Sequence, residues 1–146
     1  MTAFADASAL VKLYVPEADH EVVRQVTDLV IAQVSRVEVP AALWRKVRVG
    51  ELTAADAAVL VAAFEADYHG TATEGPRFAV IATAAPVLDS AARLAAVHGL
   101  RAYDAVQLAS ASTAAAVASS VRDFVAFDVR LATAAAAEGL RPVPAG

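Results

Sequence analysis

The chain has no cysteine, a single tryptophan and a single methionine, and few aromatic residues of any kind. Without cysteine there are no disulfides and no thiolate metal sites, and the absence fits a reducing compartment, so a cytoplasmic location is expected. Positive charge is also scarce. Twelve Lys and Arg stand against 16 Asp and Glu, for a formal net charge of −4. That balance argues against a general nucleic-acid coat. It leaves local nucleic-acid contact open, because a bound cation reverses the sign of a carboxylate cluster where it sits. Long apolar runs are missing too. None approaches the ~18 residues of a membrane span, so no transmembrane helix is expected. No basic segment followed by an apolar stretch opens the chain, so no signal peptide is expected.

What is present is an apolar, alanine-rich sequence of 146 residues, 58% hydrophobic. That length predicts one domain, residues 1–146, able to bury its own core. The apolar surplus has two readings: an alanine-rich helical core, or surface covered by a partner or a second copy.

Strand and helix signals alternate along the chain. Thr2 to Ala5 reads as a buried strand, and Ala7 to Tyr14 as a helix with Leu10, Val11 and Tyr14 at helical spacing. Pro16 ends that helix. Glu17 to Leu29 reads as a second helix and Leu29 to Ala32 as a second buried strand. Ser35 with Glu38 three places on is a capping-box pattern that opens a helix running to Gly50. Thr53 caps the next helix, which runs to about His69, and Gly70 to Pro76 is a loop. Arg77 to Ala82 is a third strand. Pro86 opens a helix that Gly99 closes, and Asp104 lies at the start of another that runs to about Ala118. Phe124 to Phe127 is a strand ending on Asp128, followed by a helix from Val129 to Glu138. Arg141 to Val143 is a short edge strand, and the tail Pro144 to Gly146 is expected to fray. The alternation predicts an α/β fold: a mostly parallel central sheet flanked by helices on both faces.

Four acids fall at strand or helix boundaries: Asp6, Glu38, Asp104 and Asp128. Each has an ordinary role open to it. Asp6 and Asp128 suit helix N-caps, Glu38 suits the capping box, and Asp104 suits the positive end of a helix dipole. Taken together they point further. If the strands ending on Asp6 and Asp128 are parallel, both acids lie at the carboxyl edge of the sheet, where open α/β folds bind ligands. Helices that directly follow strands bring Glu38 and Asp104 toward the same edge. Carboxylates gathered in this way raise one another's pKa unless a cation lies between them. An oxygen-only set suits Mg²⁺ or Mn²⁺, and such metals support phosphodiester hydrolysis. Asp123 is a rival for the fourth place, but it precedes its strand and is expected at the opposite edge.

Four blocks carry these acids: Ala5-Asp6-Ala7-Ser8-Ala9-Leu10-Val11-Lys12, Ser35-Arg36-Val37-Glu38 with Ala41-Ala42-Leu43, Gly99 through Ala109 around Tyr103-Asp104, and Phe124 through Leu131 around Asp128. Together they resemble the motif blocks of PIN-domain ribonucleases, and most of all the VapC toxins of bacterial toxin–antitoxin pairs. The resemblance spans essentially the whole chain, and the first and third blocks are its specific parts. It implies a PIN-like three-layer sandwich and a Mg²⁺- or Mn²⁺-dependent endoribonuclease. It also implies an RNA substrate, restraint by a VapB-type antitoxin, and a homodimer. Asp6 and Asp104 match the main metal-binding acids, Glu38 the third and Asp128 the fourth. Ser8 matches a small hydroxyl residue near the first acid. One departure is Ala126, where relatives often carry a hydroxyl residue.

RNA contacts would come from Lys12, Arg45, Lys46 and Arg48, for which a solvated helix face is the plainer reading. Trp44 and Tyr68 could stack on bases, with core or interface packing the plainer reading. His20, His69 and His98 are scattered and do not form a zinc set. A phosphoacceptor receiver domain would need an adjacent acid pair and a late lysine, and the chain has neither: its two lysines are Lys12 and Lys46. A dehalogenase-type phosphatase would need aspartate where Ser8 stands. A catalytically silent PIN-like binding module, or acids serving only as caps, are the remaining alternatives.

Overall fold

Five short strands pair into one all-parallel sheet, and the computed structural model of the chain describes residues 1–145. The strands are β1 (Thr2–Ala5), β2 (Asp28–Ala32), β3 (Phe78–Ile81), β4 (Asp123–Val125) and β5 (Arg141–Val143). Their order is β3-β2-β1-β4-β5. Seven helices connect them: α1 (Ala7–Tyr14), α2 (His20–Arg24), α3 (Ser35–Arg48), α4 (Ala54–His69), α5 (Ala85–His98), α6 (Ala102–Val117) and α7 (Val129–Ala137).

Side-chain alternation along the central strands divides the interior into two cores. Phe4, Val30, Ala32 and Phe124 face a cluster built with α5, α6 and α7. Ala3, Ala5, Leu29, Ile31 and Val125 face a second cluster built with α1 to α4. Both faces of β1 are therefore covered, which is why Ala3, Phe4 and Ala5 are apolar in succession, with no polar alternation after Thr2. Phe4 and Phe124, opposite one another in register, stack with ring centroids 5.6 Å apart. The three-layer α/β arrangement expected from the alternation is present, with the sheet as the middle layer.

The connections leave a switch point beside β1. From β1 the chain crosses to β2 and then β3 on one side, whereas β4 and β5 lie on the other. The helix that follows β1 packs on one face, and the helix that follows β4 packs on the opposite face. Adjacent parallel strands whose following helices diverge in this way open a crevice at their carboxyl ends.

The bounds of α2, β2 and β4 differ from the sequence reading. The helix expected over Glu17 to Leu29 is reduced to His20–Arg24, because Asp28 is drawn into β2 opposite Thr2. Thr27 also bonds both the amino group and the carbonyl of Met1, which fixes the chain as it enters the sheet. β4 begins at Asp123 and ends at Val125, so Asp128 follows the strand by three residues. Asp123 opens β4 opposite Ala3 and Arg141, at the amino edge, as its place before the strand implied. Its buried carboxylate accepts from the Arg141 guanidinium, which gives it a structural partner. Gly99 adopts the left-handed conformation (φ 64°) that stops α5 and turns the chain into α6 within three residues. Of the tail expected to fray, Pro144 to Gly146, the last residue lies outside the described residues.

Candidate functional site

Asp6 leaves β1 at the switch point. Its amide donates to Val125 O on the neighbouring strand (3.2 Å), which fixes it directly over the carboxyl ends of β1 and β4. It is also the N-cap of α1. Oδ1 accepts from the Ala9 amide at 2.8 Å, and the Ser8 hydroxyl donates to both carboxylate oxygens at 2.9 and 3.1 Å. The residue is only 4% exposed. Burial above all, with the charges of Asp104 and Glu38 added, pushes its carboxyl up to about 7 against the pull of the Ala9 and Ser8 hydrogen bonds.

Glu38 departs from the sequence reading. Val34, not Ser35, is the N-cap of α3, and no side chain caps it. Ser35 is fully buried, and Glu38 does not reach back to the Ser35 amide. Its Oε1 instead accepts from Gln107 Nε2 of α6 at 2.9 Å. The same Gln107 nitrogen donates to Ser35 Oγ at 3.0 Å. Burial raises the Glu38 pKa, the Gln107 hydrogen bond opposes that rise, and the charge of Asp104 adds to it.

Asp104 is in the first turn of α6, half-buried, with a loose ion pair to Arg101 at 3.6 Å. Asp104 and Asp128 line one open cleft of about 610 Å³, together with Arg101, Phe127 and Arg130. Asp128 is the N-cap of α7 and accepts from the Leu131 amide at 2.9 Å. Ser8, Glu38 and Tyr103 line a second groove of about 700 Å³ that continues past Arg45, Lys46 and Arg48.

The four acids thus come from four separate segments. Asp6, Glu38 and Asp104 lie within Coulombic reach of one another, and Asp128 shares a cleft with Asp104. Among the described residues, no three acidic or histidine side chains converge closely enough to hold a metal ion. The donor chemistry nevertheless suits a hard divalent cation. The set is carboxylate oxygen throughout. Capping does not use up Asp6 or Asp128, because a carboxylate offers about four lone-pair sites.

The other sequence candidates separate by contact. Lys12 donates to Ala18 O at 2.6 Å and lies 4.6 Å over the Phe127 ring, and Lys46 pairs with Glu17 and Glu51, so both hold loops together. Arg45 and Arg48 are exposed along the second groove. Tyr68 packs on Phe64 and His69, and Trp44 is 38% exposed. The three histidines lie on different helices. Gln107 and Ser35 had no site role in the sequence reading. The available signal was Gln107 itself, a long polar side chain three residues after Asp104 in an otherwise small and apolar stretch.

No family model matches the chain, and no curated protein is similar to it. Among solved structures it is similar to the crystal structure of PAE2754 from Pyrobaculum aerophilum. The TM-score is 0.64 and the identity 25%, over 98% of this chain and 84% of that one. Among the described residues no helix is long and apolar enough to cross a membrane.

Proposed function

We propose that the chain is a PIN-domain endoribonuclease of the VapC type, hydrolysing RNA phosphodiester bonds with Mg²⁺ or Mn²⁺ held by Asp6, Glu38, Asp104 and Asp128. The observation that carries this reading is the convergence of Asp6, Glu38 and Asp104 from three separate segments, where the charge of Asp104 adds to burial in raising the pKa of both Asp6 and Glu38. A core that gathers unneutralised carboxylates destabilises itself, and a divalent cation relieves that cost. When bound, such a metal activates water and stabilises charge on a phosphoryl oxygen. The protein's own part is positional. Ser8 and the α1 amide hold Asp6, Gln107 holds Glu38, and the Leu131 amide holds Asp128. Arg45 and Arg48 along the groove supply positive charge for an RNA backbone. A VapB-type antitoxin and a homodimer complete the reading. Exposed Val37, Val117 and Val129 are apolar surface suited to such contacts.

The test is RNA cleavage by the purified chain with Mg²⁺ or Mn²⁺, beside Asp6→Ala and Asp104→Ala. Wild type is expected to cleave only with metal, and both variants to lose at least a hundredfold in rate. Equal cleavage by all three, or cleavage without metal, sinks the assignment. The spacing of the acids favours one second reading, a silent PIN-like module that works by binding alone. Folded wild type that binds RNA and leaves it intact with either metal would establish it.

A further inference from the structure

Gln107 is 1% exposed, in a helix whose inward face is otherwise small or apolar: Ala105, Leu108, Ala109, Ala111 and Ala114. A buried carboxamide there is costly unless its polar atoms are paired. Only half of it is. Nε2 donates both its hydrogens, to Ser35 Oγ and Glu38 Oε1, while Oε1 is buried with no partner among the described residues. Glu38 dictates this orientation. An ionised carboxylate can only accept, so rotating the amide would set two acceptors against each other. Ser35 and Glu38 are also the pair that the capping-box pattern would have joined on α3. The intruding amide from α6 engages both ends of that pair in place of the local contact.

We propose that Gln107 is the positioning residue for Glu38, drawing its carboxylate off the first-turn amides of α3 and presenting it to Asp104 and Asp6. The assignment rests on the reading of Glu38 as a metal-holding acid. It explains why a half-satisfied glutamine stands on the inward face of α6: its donors serve Glu38 and Ser35, at the cost of an unpaired carbonyl.

The test is a double-mutant cycle. Gln107→Leu, which removes the donors, and Gln107→Asn, which falls one methylene short, are each made in wild type and in Glu38→Gln. Mn²⁺ binding is followed by titration calorimetry, and the Ser35 amide by its ¹H–¹⁵N resonance. Loss of a residue that orients a ligand typically weakens metal affinity 10–100-fold. A loss of about tenfold or more is expected with Glu38 intact, and none in the Glu38→Gln background. Loss of the Gln107–Ser35 bond moves the Ser35 amide in either background, and a further displacement is expected only with Glu38 intact, as the freed carboxylate returns to the first turn. Where wild type binds Mn²⁺, the affinity cycle decides: equal losses in both backgrounds, or no loss, overturn the proposal. Where wild type binds no Mn²⁺, the metal reading is what fails, and the amide decides for Gln107. A Glu38-dependent displacement then upholds the proposal, and its absence overturns it. Should the leucine variant fail to fold, the asparagine variant carries the same expectations.

Discussion

Asp6 serves two demands that oppose each other. As the N-cap of α1 it accepts hydrogen bonds best when ionised, yet burial beside Asp104 and Glu38 disfavours its charge and raises its pKa from 3.8 to about 7. The direction fixes a pH dependence. In the unfolded chain the carboxyl loses its proton near pH 4, whereas in the fold it keeps it to about pH 7. The folded state binds the extra proton in that window, so this group's contribution to stability is full below about pH 4 and is lost as the pH rises through 7. In urea denaturation without divalent cations, wild type is expected to lose roughly 2–4 kcal/mol from this group between pH 4 and 8. Asp6→Asn keeps a capping oxygen and removes the titration, so its pH profile over the window is expected to be flatter. An unchanged slope would show that Asp6 is not the group responsible.

At the scale of elements, the caps and the site use the same side chains, and substitution can separate the two uses. Asp128 caps α7 through the Leu131 amide. Asn is as good an N-cap as Asp, whereas Ala costs about 1 kcal/mol. Asp128→Asn is therefore expected to leave the urea midpoint within error and Asp128→Ala to lower stability by about 1 kcal/mol. RNA cleavage is expected to fall in both, because both remove the charge. Activity surviving in the asparagine variant would reduce Asp128 to a cap. Thr53, which caps α4 through the Asp56 amide, is the matching control outside the site. Helices α1, α4, α5 and α7 were legible at this scale because their stop or start residues act locally: Asp6, Thr53, Gly99 and Asp128 each function where they stand. α2 was not. Its apolar spacing continues toward Leu29, and pairing of Asp28 with Thr2 on β1, 26 residues earlier, overrides the local preference.

For the whole molecule, an acidic chain that binds RNA must do so through a local positive path. Arg45 and Arg48, exposed along the groove that begins at Glu38, are the side chains placed for it. Binding of RNA to the Asp104→Ala variant, measured across a salt series, is expected to weaken on Arg45→Ala and Arg48→Ala. The salt slope is expected to fall by about 0.7 for each phosphate contact removed from a single strand. Unchanged affinity and slope would return both arginines to the role of a solvated helix face.

The sequence by itself determined the layered α/β fold, the apolar β1 and the four acids at element boundaries. These depend on hydrophobic period, helix punctuation and residue type, all of which are local. Tertiary structure alone decided the contact that Glu38 makes. Ser35 and Glu38 satisfy a local capping rule in sequence, but Gln107, 69 residues from Glu38, outcompetes the local amide in the fold. The switch point beside β1 likewise exists only once β4 has crossed to the far side of β1 and α7 has packed opposite α1. Both are outcomes of long-range packing, in which the burial of whole faces outweighs the preference of any single turn.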